Sequence, residues 1–234
     1  MMMLLSAAAA AAPLWVGRFS GEGAPPAPWQ VVVLNKKNAP TSYRSSKVAG
    51  VGAIEARAKA SMALLARPLR MDLARTPVLC WRWLVDEPVA KADMRSKRGD
   101  DYAARIYVAF DIPDDRLSAG TRMKLSLGRR MFGGNLPDAA LNYVWDNKHP
   151  VGTRAKSAYT DRAELIVAET GAARARKWVA ERADVGADFA RAFGGVPGTP
   201  TQIAIASDTD NTGGTARAAF ADLHFVARDQ RCAI

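Results

Sequence analysis

Gln202-Ile-Ala-Ile-Ala206 leads into Ser207-Asp208-Thr-Asp-Asn-Thr-Gly-Gly214, and the apolar run Ala216 to Val226 follows. Two apolar segments joined by a polar turn with two glycines read as two strands and their loop. A period of two places Ala221, Leu223 and Phe225 on one face of the second strand, opposite Phe220, Asp222 and His224. Arg105-Ile-Tyr-Val-Ala-Phe110 repeats the pattern, with Ile106, Val108 and Phe110 on a common face. Working outward, segments of the same character recur at Val31–Leu34, Tyr43–Val48, Ala53–Lys59, Ser61–Leu65, Val78–Val85, Leu141–Trp145 and Glu164–Glu169. Ten short strands predict an all-β fold of two antiparallel sheets packed as a sandwich.

One short helix interrupts this pattern. Asp184 is placed to cap it, Val185, Phe189 and Phe193 repeat at helical spacing, and Gly194-Gly195 supply the stop, which predicts a helix over 186–193. No longer alternation of helix and strand occurs, so a parallel α/β sheet is disfavoured.

The chain of 234 residues begins with Met1-Met-Met-Leu-Leu-Ser followed by six alanines. This start has the apolar body of a secretory signal, with Ala9 and Ala11 in a small-x-small cleavage pattern, although no basic residue precedes it. Pro13, Gly17 and Arg18 end the run before the ~20 apolar residues that a spanning helix needs. The resulting division is a signal over 1–12, a Gly- and Pro-rich connecting segment over 13–29, a single sandwich domain over 30–228 and a tail over 229–234. A periplasmic or secreted location follows from the signal.

The net charge of +10 is spread evenly: residues 1–117 carry 17 basic and 11 acidic side chains, and residues 118–234 carry 16 and 12. No basic block marks a specific nucleic-acid site. The two cysteines, Cys80 and Cys232, have no C-x-x-C or Cys/His ligand spacing, which excludes zinc and thioredoxin-like chemistry. They form either one disulfide, in an oxidising compartment, or two free thiols.

Several stretches resemble, in order, a bacterial family of exported proteins, domain-of-unknown-function family 3047. They are Pro77-Val-Leu-Cys-Trp-Arg-Trp83, Gly99-Asp-Asp101 with Ala104-Arg-Ile-Tyr-Val108, Leu141-Asn-Tyr-Val-Trp145, Trp178-Val-Ala-Glu181 with Asp188-Phe189 and Ala192-Phe-Gly194, and Asp208-Thr-Asp-Asn-Thr-Gly213. The resemblance runs from about Trp15 to Phe225. It implies a galactose-binding-like jelly roll whose last strand sets an acidic residue between hydrophobes, as in Phe220-Ala-Asp222-Leu-His-Phe225. It implies no activity.

Three constellations are candidates for chemistry. Asp208, Asp210 and Asn211 offer oxygen ligands to a calcium ion, or else form a hydrogen-bonded Asx turn; Ala219 stands where an EF-hand needs its bidentate glutamate. Asp100 and Asp101 precede Arg105 at the mouth of a strand, where carboxylates and a guanidinium suit sugar hydroxyls or simply pair. Trp81 with Trp83, and Tyr143 with Trp145, lie on common faces and read as core. If Trp145 were exposed, Asn142, Asp146 and Asn147 would flank a saccharide platform. No nucleophile elbow, phosphate loop, dinucleotide fingerprint or metalloprotease motif is present. The expected function is ligand binding, with a glycan or cell-envelope saccharide as the partner. A hydrolase or lyase using Asp100, Asp101, Asp208 or Asp210, and a purely structural envelope protein, are the alternatives.

Overall fold

The faces that alternation sorts into apolar and polar close over one another in the computed structural model, which describes residues 12–132, 137–195 and 197–234. The expected signal falls on residues 1–11 almost entirely, outside those described. In chain order the strands are β1 (Leu14–Gly17), β2 (Gln30–Val32), β3 (Ser42–Val48), β4 (Val51–Lys59), β5 (Leu64–Pro68), β6 (Val78–Val85), β7 (Arg105–Asp111), β8 (Ala139–Asp146), β9 (Arg154–Ser157), β10 (Thr160–Thr170), β11 (Val179–Asp184), β12 (Thr199–Ala206) and β13 (Thr215–Val226). The first sheet has the order β11-β6-β13-β4-β3, with β1 also paired to β13, and the second has the order β2-β5-β12-β7-β8-β10-β9. The chain crosses repeatedly between the sheets, staying within one only at β3–β4 and over β7–β10, and the two last strands insert in the interior of each, giving a sandwich of jelly-roll type.

All ten expected strands are present, and β1, β9 and β11 join them. Among the named strands of the described residues, every pairing is antiparallel except that of β10 with β8. Strand β10 inserts between β8 and its hairpin partner β9, so it runs parallel to β8, with Leu165 beside Asn142 and Val167 beside Val144.

The expected helix is α2 (Val185–Phe193), where the Asp184 side chain accepts the Ala187 N–H at 2.8 Å and Gly194 leaves the helix at φ +75°. It is not the sole helix: α1 (Ala119–Phe132) fills the β7–β8 connection. Its entry is marked by Ser118, whose Oγ accepts the Thr121 N–H at 3.1 Å, while Met123 is exposed and Leu125 buried. The segment read as a connector also belongs to the body. Strand β1 lies within it, Phe19 and Trp29 are buried, and Gly23 exchanges two backbone hydrogen bonds with Ser45. A Cβ at Gly52 would stand 2.4 Å from the Phe19 carbonyl, so this glycine is what lets the segment lie against β4.

Core packing follows the aromatic pairs. Trp81 meets Trp83 at 5.3 Å between centroids and Tyr143 at 5.6 Å, and Trp83 meets Trp145 at 5.7 Å. Strand β13 departs from strict alternation. A bulge at Asp222, which has φ +55°, lets Phe220, Leu223 and Phe225 all face the core and turns the Asp222 carboxylate toward Arg82. Cys80 and Cys232 are joined as a disulfide, which decides between the two readings of these residues. Among the described residues no helix is long and apolar enough to cross a membrane.

Candidate functional site

Strands β7 and β12 are antiparallel neighbours, with Arg105 opposite Ala206. Ile106 and Val108 point into the core, so Arg105 and Tyr107 point outward, and the loop leaving Ala206 brings Asp208 over the guanidinium. Arg105 Nη2 lies 2.5 Å from Asp208 Oδ2, 2.7 Å from the Asp100 carbonyl and 3.5 Å from Asp100 Oδ1. Its Nη1 donates to the Tyr107 hydroxyl at 2.7 Å, and the guanidinium sits 4.5 Å above the Tyr102 ring. Only 2% of Arg105 is exposed.

Asp101 organises the loop from below. Its Oδ1 accepts the Asn211 N–H at 3.2 Å and the Asn211 amide at 3.1 Å, while Oδ2 accepts the Thr212 N–H at 2.6 Å. Asp210 Oδ2 accepts from Asn38 Nδ2 at 2.6 Å. Tyr159, on the β9–β10 turn, donates to Asn211 Oδ1 at 3.0 Å and keeps its ring exposed at the rim. Carboxylate oxygens of Asp101, Asp208 and Asp210 all lie within 4.8 Å of one another, a metal-ligating arrangement.

The electrostatics are one-sided, with four carboxyls around one guanidinium. Burial pushes the Asp208 carboxyl well above its ordinary range, and the charges of Asp100, Asp101 and Asp210 add to this against the pull of Arg105. Burial likewise raises Asp100 and Asp210. Arg105 stays charged because Asp208, Tyr107 and Asp100 outweigh the cost of its burial. Buried atoms without a hydrogen-bond partner gather here as well: Asp100 Oδ1, the Tyr102 hydroxyl, Arg105 Nε and the hydroxyls of Ser207, Thr209 and Thr212. The excess negative charge suits a hard divalent cation, and Asp101, Asp208 and Asp210 are the grouped carboxylates that could hold one in exchange for their present hydrogen bonds.

The two constellations that sequence separates, Asp100-Asp101-Arg105 and Asp208-Asp210-Asn211, are therefore one cluster. Asn211 braces Asp101 and Tyr159, and Asp101 takes its place among the grouped carboxylates. Trp145 lies outside the cluster: it is 1% exposed, packs on Trp83 and donates from Nε1 to the Gly171 carbonyl, so it offers no platform. Asp146 is fully buried and caps its own turn, accepting the N–H groups of Lys148 at 2.8 Å and His149 at 2.6 Å. Asn142 lies on the outer face opposite Tyr107, buried, with Oδ1 unpartnered. Sequence reasoning missed Tyr102, Tyr107, Tyr159 and Asn38. Alternation with Arg105 marks Tyr107, whereas nothing local marks Asn38, 172 residues from its partner Asp210.

A family model described as "Protein of unknown function (DUF3047)" matches residues 27–224. The chain belongs to this family. No curated protein matches it. Among solved structures it is similar to the family 30 carbohydrate-binding module of the cellulosomal cellulase Cel9D-Cel44B of Clostridium thermocellum, at 10% identity and a TM-score of 0.41, covering 94% of this chain and 95% of that one. The Asp208 turn, Arg105 and the cap Asp101 all fall inside the segment matched by the DUF3047 family.

Proposed function

We propose that this DUF3047 protein is an exported, periplasmic or secreted saccharide-binding sandwich whose ligand meets the Arg105–Asp208 cluster, with a calcium ion held by Asp101, Asp208 and Asp210. The observation that carries the reading is the surplus of carboxylates over guanidinium, with Asp101, Asp208 and Asp210 grouped closely enough to share a cation. A hydroxyl-rich ligand would meet the cluster at its accessible rim, where Asp210, Asn211 and Thr212 are part-exposed and the exposed Tyr159 ring suits the apolar face of a sugar. The Cys80–Cys232 disulfide supports an oxidising compartment.

A glycan array probed with the purified domain, with calcium or with chelator, tests this. Binding to a saccharide that Arg105→Lys weakens is the expected result, and an array without hits in both buffers overturns it. Saturating calcium should raise the melting temperature by mass action, and Asp210→Ala should abolish that rise. Identical melting curves in calcium and in chelator would reduce the loop to a hydrogen-bonded turn. A hydrolase or lyase reading draws on Asp100, whose Oδ1 is unpartnered and whose carboxyl burial holds protonated more readily, as a proton donor requires. Its mark would be shortened polysaccharide products that Asp100→Asn no longer releases.

A further inference from the structure

The outer face of the first sheet carries the inverse arrangement. Arg44 on β3 lies opposite Glu55 on β4, and Arg217 on β13 lies directly opposite Arg57 on β4. Glu55 Oε1 accepts from Arg57 Nη2 at 2.9 Å and from Arg217 Nε at 2.5 Å, with Arg44 Nε 3.7 Å from Oε2. Asp86 takes the remaining contact of Arg217, at 2.9 Å. Three guanidiniums thus share one buried carboxylate and one surface carboxylate, and Lys59 follows Arg57 on the same face of β4.

Like charges directly opposite on neighbouring strands destabilise a sheet, so stability alone does not favour Arg57 beside Arg217. The side chains of Arg44 and Arg57 are each 60% exposed, whereas that of Glu55 is 5% exposed. Glu55 is a buried anchor that takes Arg57 through Nη2 and Arg217 through Nε; Arg217, 29% exposed, is also held by Asp86, and it is Arg44 and Arg57 that turn most of their surface to solvent. Adjacent strands lie about 4.8 Å apart, so the row sets planar guanidinium forks side by side on the outer face of the sheet. Forks of this kind match carboxylates in pairs of parallel hydrogen bonds. Among the described residues no cation–π contact involves any of the three arginines, so their guanidiniums are not stacked on rings of the protein.

We propose that the face formed by Arg44, Arg57, Lys59 and Arg217 docks an acidic polysaccharide, with its uronate carboxylates on the guanidiniums. This surface lies on the opposite sheet from the Arg105–Asp208 cluster and works without a cation. The test is binding of sodium polygalacturonate in the presence of chelator, with uncharged dextran and single-stranded DNA as comparison probes. The intact domain should bind polygalacturonate at low salt, lose affinity as salt rises, and ignore dextran. The double variant Arg44→Gln/Arg57→Gln should weaken binding at least tenfold with an unchanged melting temperature. Arg44→Ala/Arg57→Ala serves the same purpose should the glutamine pair not fold. Unchanged binding by a folded variant, absence of binding by the intact domain, or tighter binding of DNA than of polygalacturonate would each overturn the proposal. Because the assay excludes calcium, its result is separable from that of the carboxylate cluster.

Discussion

Two charge clusters on opposite sheets have inverted stoichiometry. Around Arg105, four carboxyls crowd one guanidinium that is nearly inaccessible; around Glu55, three guanidiniums crowd one carboxylate but reach into solvent. Both centres are buried, so the difference lies in where the surplus charge resides. A surplus held inside a low-dielectric site must be neutralised by protons or a cation, whereas a surplus at the surface is relieved by water. The carboxyls respond accordingly. Asp208, Asp100 and Asp210 are pushed up by burial; burial also acts on Glu55, but Arg57 and Arg217 outweigh it and hold that carboxyl below its ordinary range.

The comparison can be broken most easily at Arg105. Arg105→Met strands Asp208 without its partner and should cost about 3–5 kcal/mol in urea unfolding. A cost near that of a surface pair would mean that Arg105 is not the counter-charge of the cluster. Asp101→Ala, which removes the acceptor of two backbone N–H groups and one side-chain amide, should cost about 2–3 kcal/mol and open the 208–214 loop to hydrogen exchange.

Glu181 is a third case that sharpens the contrast. Burial and the charge of Glu169 push its carboxyl up to about 7, and its Oε1 has no hydrogen-bond partner. A raised carboxyl keeps its proton in the folded chain after the unfolded chain has released it, so stability falls as pH rises from 4.5 to about 7. Glu181→Gln should therefore gain about 2 kcal/mol at pH 8 and nothing at pH 4, measured by chemical denaturation at each pH. Glu55 behaves in the opposite sense, since its contribution is complete above its ordinary value of 4.5 and is lost as pH falls below it. Glu55→Gln should cost about 1 kcal/mol or less at neutral pH, because Arg44 and Arg57 can turn to water. A loss as large as that from Arg105→Met would erase the distinction between the clusters.

Much of the sandwich is legible in sequence because strand burial has a period of two and the core aromatics obey it. Ile106, Val108 and Phe110, or Trp81 and Trp83, identify their own faces. The helix α2 is legible for the same local reason, since its cap, stripe and stop lie within eleven residues of one another, from Asp184 to Gly194. What escapes is non-local. The parallel pairing of β10 with β8 depends on which strand inserts beside which, and the side-chain pattern of a strand is the same in either direction. The bulge at Asp222 shifts alternation without any glycine to announce it. Within the site, Asp100, Asp101, Arg105, Asp208 and Asp210 stand out as polar residues at strand ends. Trp145 misleads because a large aromatic beside Asn142 and Asp146 has the same composition whether it floors a binding surface or fills a core.

The placement of the last two strands bears on assembly. Strand β12 lies between β5 and β7, and β13 lies between β4 and β6 and also carries β1, so both sheets are in separate pieces until residues from Thr199 onward arrive. A chain wired in this way completes neither sheet before its late inserting strand has emerged. It gains its cooperative structure only after Val226 has emerged, through contacts between segments far apart in sequence, which makes closure slow. Under the export proposed above, such late closure would keep the thread open until the far side is reached.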